Sequence, residues 1–361
     1  MIPNGLDVFL FFHEVTESAT NLKEVLITFD GSVNKASAEN VASYTISNDS
    51  STLSLKSAAL QEDGKSVLVT LADASSLANQ EDHTLTVNNV KVTGDTTKTV
   101  SAKDFSFKPV DAALPTLEKV EGLGNKAIKL TFSEPVQSTS TVADTFKLDG
   151  QVVSGILTGS GTRTIIIELF APLTTTEHTL SVNNKIKDFA DYNLVGLDTK
   201  FTVVEDKVAP TVVQVKDVTL ESATVVFSED VKPAEATNGA NYYWLNGTTK
   251  HYANTNVQQI DGKTYKLTFS GTSKLPAVST DLYIQNVIDY SANTIANDTK
   301  VAINPVVDQT RPEVVSEVFN DANELKLTFN KAVDLSTFKA SNVVLKDSTG
   351  KAVSSYGVTV A

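Results

Sequence analysis

Lys126-Ala-Ile-Lys-Leu-Thr-Phe-Ser-Glu-Pro-Val136 sets the pattern for the whole chain. Ile128, Leu130 and Phe132 alternate with other residues, the period of a half-buried strand whose one face meets a core. Ser133-Glu134-Pro135 then reads as a polar turn that ends it. The phrase returns as VLITFDGSV at Val25–Val33, ATVVFSEDV at Ala223–Val231 and LKLTFNKAV at Leu325–Val333. Its aromatic residue falls at Phe29, Phe132, Phe227 and Phe329. The step is about 100 residues, too long for a solenoid unit and suited to a domain with its own core.

Two further markers keep that register. An aspartate precedes a proline by four positions at Asp111/Pro115, Asp206/Pro210 and Asp308/Pro312. A strand-like phrase recurs as Asp82–Asn89, Glu177–Asn184 and Asp281–Asn286. The chain therefore divides into repeats at 1–110, 111–205 and 206–307, with an incomplete fourth at 308–361. The last repeat stops before its later strands, so the sequence reads as a piece of a longer protein. The first lacks the Asp-Pro marker, and its opening strand is expected at Val8–Phe12.

Short runs rich in Val, Ile, Thr and Phe lie between Gly, Pro and Asn turns, and no stretch holds a helical period. In the second repeat seven strands are expected, near 116–121, 126–132, 145–148, 152–157, 164–169, 179–182 and 200–204. Asp149-Gly150 marks a hairpin there, and Asn246-Gly247 stands in its place in the third repeat. Seven short strands in such a span predict an all-β chain of tandem immunoglobulin-like seven-strand sandwiches in a rod-like array.

Composition narrows the function. The 361 residues carry 41% hydrophobic residues, a net charge of −13 and no cysteine. No apolar run is long enough to span a membrane. The acid is dispersed and no basic stripe exists, which argues against nucleic acid as a partner. Without cysteine, disulfides, thiolate metal sites and cysteine nucleophiles are excluded. Of the four histidines, His83 and His178 occupy one repeat position before a strand, and neither neighbours a serine nucleophile. No phosphate loop, dinucleotide fingerprint or zinc-protease motif is present. These observations predict a protein that is not an enzyme.

The acids are more informative. In a seven-strand sandwich the loop after the second strand, the late loop and the start of the first strand share one end. Asp111, Glu134, Asp188, Asp191 and Asn193 are thereby expected to converge in the second repeat. Asp206, Glu229, Asp230, Asp289 and Asn293 are expected to do so in the third. Calcium takes six to eight oxygens, and carboxylates from three segments supply that chemistry. The competing account is that these acids cap turns by bonding nearby backbone N–H groups. In the fourth repeat Asn330 replaces the glutamate, which favours the turn account there. A group at Tyr242, Tyr243, Trp244, His251 and Tyr252 is read as core packing by one strand face, with a sugar platform as the alternative.

The Asp-x-x-x-Pro, LTFSEPV and late DFADYN or DYSANT elements together resemble the bacterial immunoglobulin-like domains of surface-layer proteins from Gram-positive bacilli. Lys129–Val136 with Asp188–Asn193 carries the resemblance in the second repeat, and Val225–Val231 with Asp289–Asn293 in the third. The first repeat departs from it, with VTGDTT at Val92–Thr97 in place of the late turn. The resemblance implies an extracellular scaffold at the cell wall that self-associates into a two-dimensional array. Contact with cell-wall polymer would come through a module outside this chain. Adhesin stalks, wall-glycan binders and spacers of extracellular enzymes use similar domains and remain alternatives.

Overall fold

A computed structural model describes residues 15–48, 51–93, 95–100, 103–137, 145–159, 161–306, 311–321 and 324–329, with a few isolated positions beyond. Among the described residues are six four-stranded antiparallel sheets, which pair into three sandwiches of identical topology. In the second sandwich one sheet runs, in spatial order, Leu117–Leu123, Ala127–Val136, Thr162–Leu169 and Gly155–Thr158. The other runs Gln151–Val152, Phe146–Leu148, Glu177–Val182 and Leu197–Thr202. Each sandwich has its own core. Phe29, Phe132 and Phe227 sit at equivalent places in the three, each no more than 1% exposed.

The alternation in the quoted stretch does what its period requires. Ile128, Leu130 and Phe132 are fully buried in the core of the second sandwich, opposite Ile165 and Ile167 on the neighbouring strand. The polar stop does not end the strand, which continues to Val136. The ladder breaks between Thr131 and Val136 instead, and Pro135 lies in that interruption, where no N–H is needed. Glu134 is thereby held in a rigid strand.

Each sandwich has four strands per sheet because one expected strand divides. The run near 152–157 supplies Gln151–Val152 to one sheet and Gly155–Thr158 to the other. Gly155 permits the crossing, since a Cβ there would lie 2.4 Å from the carbonyl oxygen of Glu168. The first sandwich opens with Val15–Ser18, paired through Val15 to Phe29. The strand expected at Val8–Phe12 lies outside the described residues, as do Asp308 and Asn330. Of the fourth repeat, the structure describes the hairpin Val314–Asp321 and Glu324–Phe329. No helix of the described residues is long and apolar enough to cross a membrane.

Candidate metal centres at the sandwich junctions

Three segments meet where the second sandwich joins the first. Asp111 lies on the connecting chain, pinned to the first sandwich by Asn79: its N–H donates to Asn79 Oδ1 (3.0 Å) and Asn79 Nδ2 donates to its carbonyl (2.8 Å). Glu134 comes from the bulged end of the Ala127–Val136 strand. Asp188 opens the late turn, bridged by its backbone to Val136. The three carboxylates each offer an oxygen within 4.8 Å of the others. Asp111 and Asp188 are fully buried and Glu134 is 6% exposed.

Turn capping accounts for one oxygen of this group. Asp188 Oδ1 accepts from the N–H groups of Ala190 (2.8 Å) and Tyr192 (2.9 Å), which folds the late turn. Asp188 Oδ2, both oxygens of Asp111 and Glu134 Oε2 are buried without a hydrogen-bond partner. Buried carboxylate oxygens without donors are costly unless a proton or a cation answers them. Burial raises all three acids above their ordinary range. Mutual repulsion adds to it at Glu134, which is pushed up to about 8 by burial and then by Asp111 and Asp188.

The junction of the third sandwich repeats the arrangement. Asp206, Glu229 and Asp289 again bring carboxylate oxygens within 4.8 Å. Asp289 is 1% exposed, and its Oδ1 accepts from the N–H groups of Ser291 (2.7 Å) and Asn293 (2.8 Å). Burial, then Asp206, raise Glu229 to about 7. The preceding sandwich covers this site from outside. Gly124, with φ +60°, lies so close that a Cβ would fall 1.9 Å from Ser291 Oγ.

Four of the expected residues stand outside the clusters. Asp191 is exposed and sits 3.5 Å from Lys187 Nζ. Asn193 is exposed, with its Nδ2 donating to the Asn184 carbonyl (2.6 Å). Asn293 supports the second cluster by donating from Nδ2 to Asp289 Oδ2 (2.7 Å) and to the Asp206 carbonyl (3.2 Å), so it presents an N–H there. Asp230 faces the other way and pairs with Lys129 of the second sandwich at 2.7 Å. The physical reasons differ: Asp230 follows Glu229 directly and its side chain diverges from it, while Asp191 stands at a left-handed turn position with φ 65°.

The same turns carry the contacts between sandwiches, and these the sequence reading missed. Phe189, next to Asp188, packs against the first core, with Lys23 Nζ 4.7 Å from its ring. Lys23 is itself fully buried, donating to the carbonyls of Ala72 (2.7 Å) and Ser75 (2.6 Å). Tyr290, next to Asp289, packs on Ala127, Ile166 and Leu123 of the second sandwich. The aromatic after each aspartate is visible in DFADYN and DYSANT; its socket is not. Ion pairs flank the sockets: Arg163–Glu24 (2.6 Å) at the first junction, Lys129–Asp230 and Lys232–Glu168 (both 2.7 Å) at the second. A divalent ion at either cluster would lie one residue from the interlock.

The other candidates are structural. His178 Nδ1 lies 2.6 Å from Asp149 Oδ2, which raises its pKa, and His83 is buried beside Phe107. Trp244 and Tyr242 belong to the core of the third sandwich, with Trp244 Nε1 donating to the Ser273 carbonyl at 2.8 Å.

Comparison with known proteins agrees with this architecture. Residues 109–204 match the model of the bacterial Ig-like domain family. The chain is 40% identical over 347 residues to the surface-layer 125 kDa protein of Lysinibacillus sphaericus, and 30% identical over 345 residues to the outer cell wall protein of Brevibacillus brevis. These matches cover 95% and 93% of the chain but only 28% and 32% of those proteins. Among solved structures, surface layer protein SbsC, domains 1-6, is matched at 13% identity over 95% of the chain and 58% of that structure. Its TM-score of 0.24 is too low to carry an argument. Repeated sequence, sandwich topology and relatives converge: residues 109–204 belong to the bacterial Ig-like domain family, the same sandwich recurs on either side of them, and the chain is similar along most of its length to a surface-layer protein and an outer cell wall protein.

Proposed function

We propose that this chain is a non-catalytic structural segment of a cell-surface protein, in which calcium held between successive sandwiches stiffens the array. Its units are the domains 1–110, 111–205 and 206–307, with a fourth beginning at 308. The parent protein assembles with copies of itself into a two-dimensional layer outside the cell, as the names of its relatives suggest, and meets wall polymer through a module beyond this segment.

One observation carries the calcium reading: buried carboxylate oxygens without partners at the first junction, in a three-acid arrangement that the second junction repeats. Asp111, Glu134 and Asp188 would hold one ion and Asp206, Glu229 and Asp289 another, with backbone carbonyls or water completing six to eight oxygens. Three carboxylates outweigh one divalent charge, which favours a cation and excludes an anion. Because Asp111 is bound to Asn79 of the preceding sandwich, an ion there ties two sandwiches together.

The test is calorimetry of the chain in millimolar calcium and in chelator, with terbium luminescence to count sites. The reading expects a higher melting temperature in calcium and two sites, one lost in Glu134→Gln and the other in Glu229→Gln. Identical melting in both conditions overturns it.

A further inference from the structure

The shared register makes each sandwich a control for the others. In the sheet that carries the Asp149 hairpin, Thr45 pairs with Thr86 in the first sandwich and Lys147 with Ser181 in the second. The third has Tyr243 opposite Tyr283. The next strand continues this row with Asp104, Asp198 and Lys300. On the other side Val152 lies opposite Lys147, and Tyr252 opposite Tyr243. The row faces away from the core, because its neighbours Tyr44, Phe146 and Tyr242 point inward and are 4%, 0% and 0% exposed. Two sandwiches fold with non-aromatic residues here, so the shared fold does not require the three tyrosines of the third, of which Tyr243 is 7% and Tyr252 40% exposed.

These rings form a continuous aromatic row. Tyr243 and Tyr283 stack at 5.0 Å with 6° between their planes, and Tyr252 leans on Tyr243 at 5.6 Å. Lys250 Nζ lies 3.9 Å over Tyr243. Tyr283 stands between two depressions of about 330 and 280 Å³. The second is bordered by Gln285, Asn286, Asn297 and Asp298. Lys300 is paired with Asp281 at 2.6 Å, Lys250 lies over Tyr243, and Asp298 borders the second depression, so the two lysines are matched in number by two acids and the surface carries no net excess of positive charge.

We infer that this face of the third sandwich binds an uncharged saccharide. A pyranose ring offers an apolar C–H face that packs on an aromatic ring, and an edge of hydroxyls. Those hydroxyls need paired donors and acceptors, which amide and carboxylate side chains supply. Tyr252, 40% exposed, provides the ring face; Tyr283, stacked on Tyr243 and with Lys300 Nζ 5.8 Å from its ring, provides the adjoining aromatic edge, and Gln285, Asn297 and Asp298 the hydroxyl partners. Trp244 takes no part, since it belongs to the core. A polyphosphate would require net positive charge that this face lacks.

The experiment is isothermal titration of the full chain with chitotetraose and cellotetraose, alongside an anionic teichoic acid. Binding of at least one neutral oligomer is expected. It should weaken at least tenfold in the double variant Tyr283→Ser with Tyr252→Val, which restores residues that the second sandwich carries in this row. Melting temperature verifies folding; should that variant unfold, Gln285→Ala with Asn297→Ala must weaken binding in its place. Absence of binding to either neutral oligomer overturns the inference, as does equal binding by both variants or binding confined to the teichoic acid. A change in sedimentation with no sugar binding also overturns it, by assigning the face to chain–chain contact.

Discussion

Asp230 and Glu229 are adjacent acids with opposite duties, and their difference is readable only in three dimensions. Glu229 turns toward Asp206 and Asp289, while Asp230 crosses to Lys129 of the neighbouring sandwich. With side chains only 19% and 6% exposed, that ion pair is sheltered from solvent. Lys129→Ala leaves a buried carboxylate without its counter-charge, so urea denaturation is expected to show a loss of about 3 kcal/mol. The double variant Lys129→Ala with Asp230→Ala should recover part of it. The clusters make a second prediction at this scale. Glu134 and Glu229, raised to about 8 and about 7, hold protons in the folded, cation-free chain at pH values where the unfolded chain has released them. Stability in chelator should therefore fall as pH rises from about 4.5 through about 8, read as melting temperature across that range. Calcium should reverse the trend, because it competes with those protons. Repetition made Asp111, Glu134, Asp188 and their counterparts legible as a group. What stayed hidden was direction: whether Asp191, three residues after Asp188, pointed in or out depends on a backbone φ of 65° that no motif announces.

At the scale of elements, the late turn serves two purposes at once. Its aspartate folds the turn and offers a buried oxygen; the next residue, Phe189 or Tyr290, is seated in the sandwich before it. Removing the ring should separate these roles. Phe189→Ala is expected to keep terbium affinity within about threefold, since no ligand is touched, yet to expose the connecting chain near Pro109–Leu114 to protease. Core-type truncation of an aromatic costs about 3 kcal/mol, so the first junction should open far more often. Tyr290→Ala should act likewise at the second junction only. Strands themselves were legible from period two: Phe146–Leu148, Thr162–Leu169 and Glu177–Val182 overlap the runs expected near 145–148, 164–169 and 179–182. Two features were not. Continuation of the strand through Glu134-Pro135 relies on a bulge that tolerates a missing N–H, and the sheet change at Gly155 relies on close approach to Glu168. Both depend on a partner strand distant in sequence, which local pattern does not specify.

At the scale of the whole molecule, an ion pair skips a sandwich. Lys35, on the short helix Lys35–Ala38 of the first, lies 2.8 Å from Asp217 of the third. The array therefore bends enough at its two junctions to bring first and third sandwiches together. Both partners are more than a third exposed, at 39% and 37%, so the pair is worth at most about 1 kcal/mol and is screened by salt. The bend must then be set by the junctions, through Phe189, Tyr290 and their flanking ion pairs, with Lys35–Asp217 only biasing the closed end. Lys35→Glu places like charges opposite one another and tests that division of labour. Small-angle scattering should show a larger radius of gyration for this variant than for the parent at low salt, and the difference should shrink at high salt. Melting temperature should change by no more than about 2 °C, because no core is disturbed. If the variant and the parent scatter identically at low salt, the junctions alone fix the bend. If the variant loses stability as well, the first–third contact is a structural interface rather than a bias.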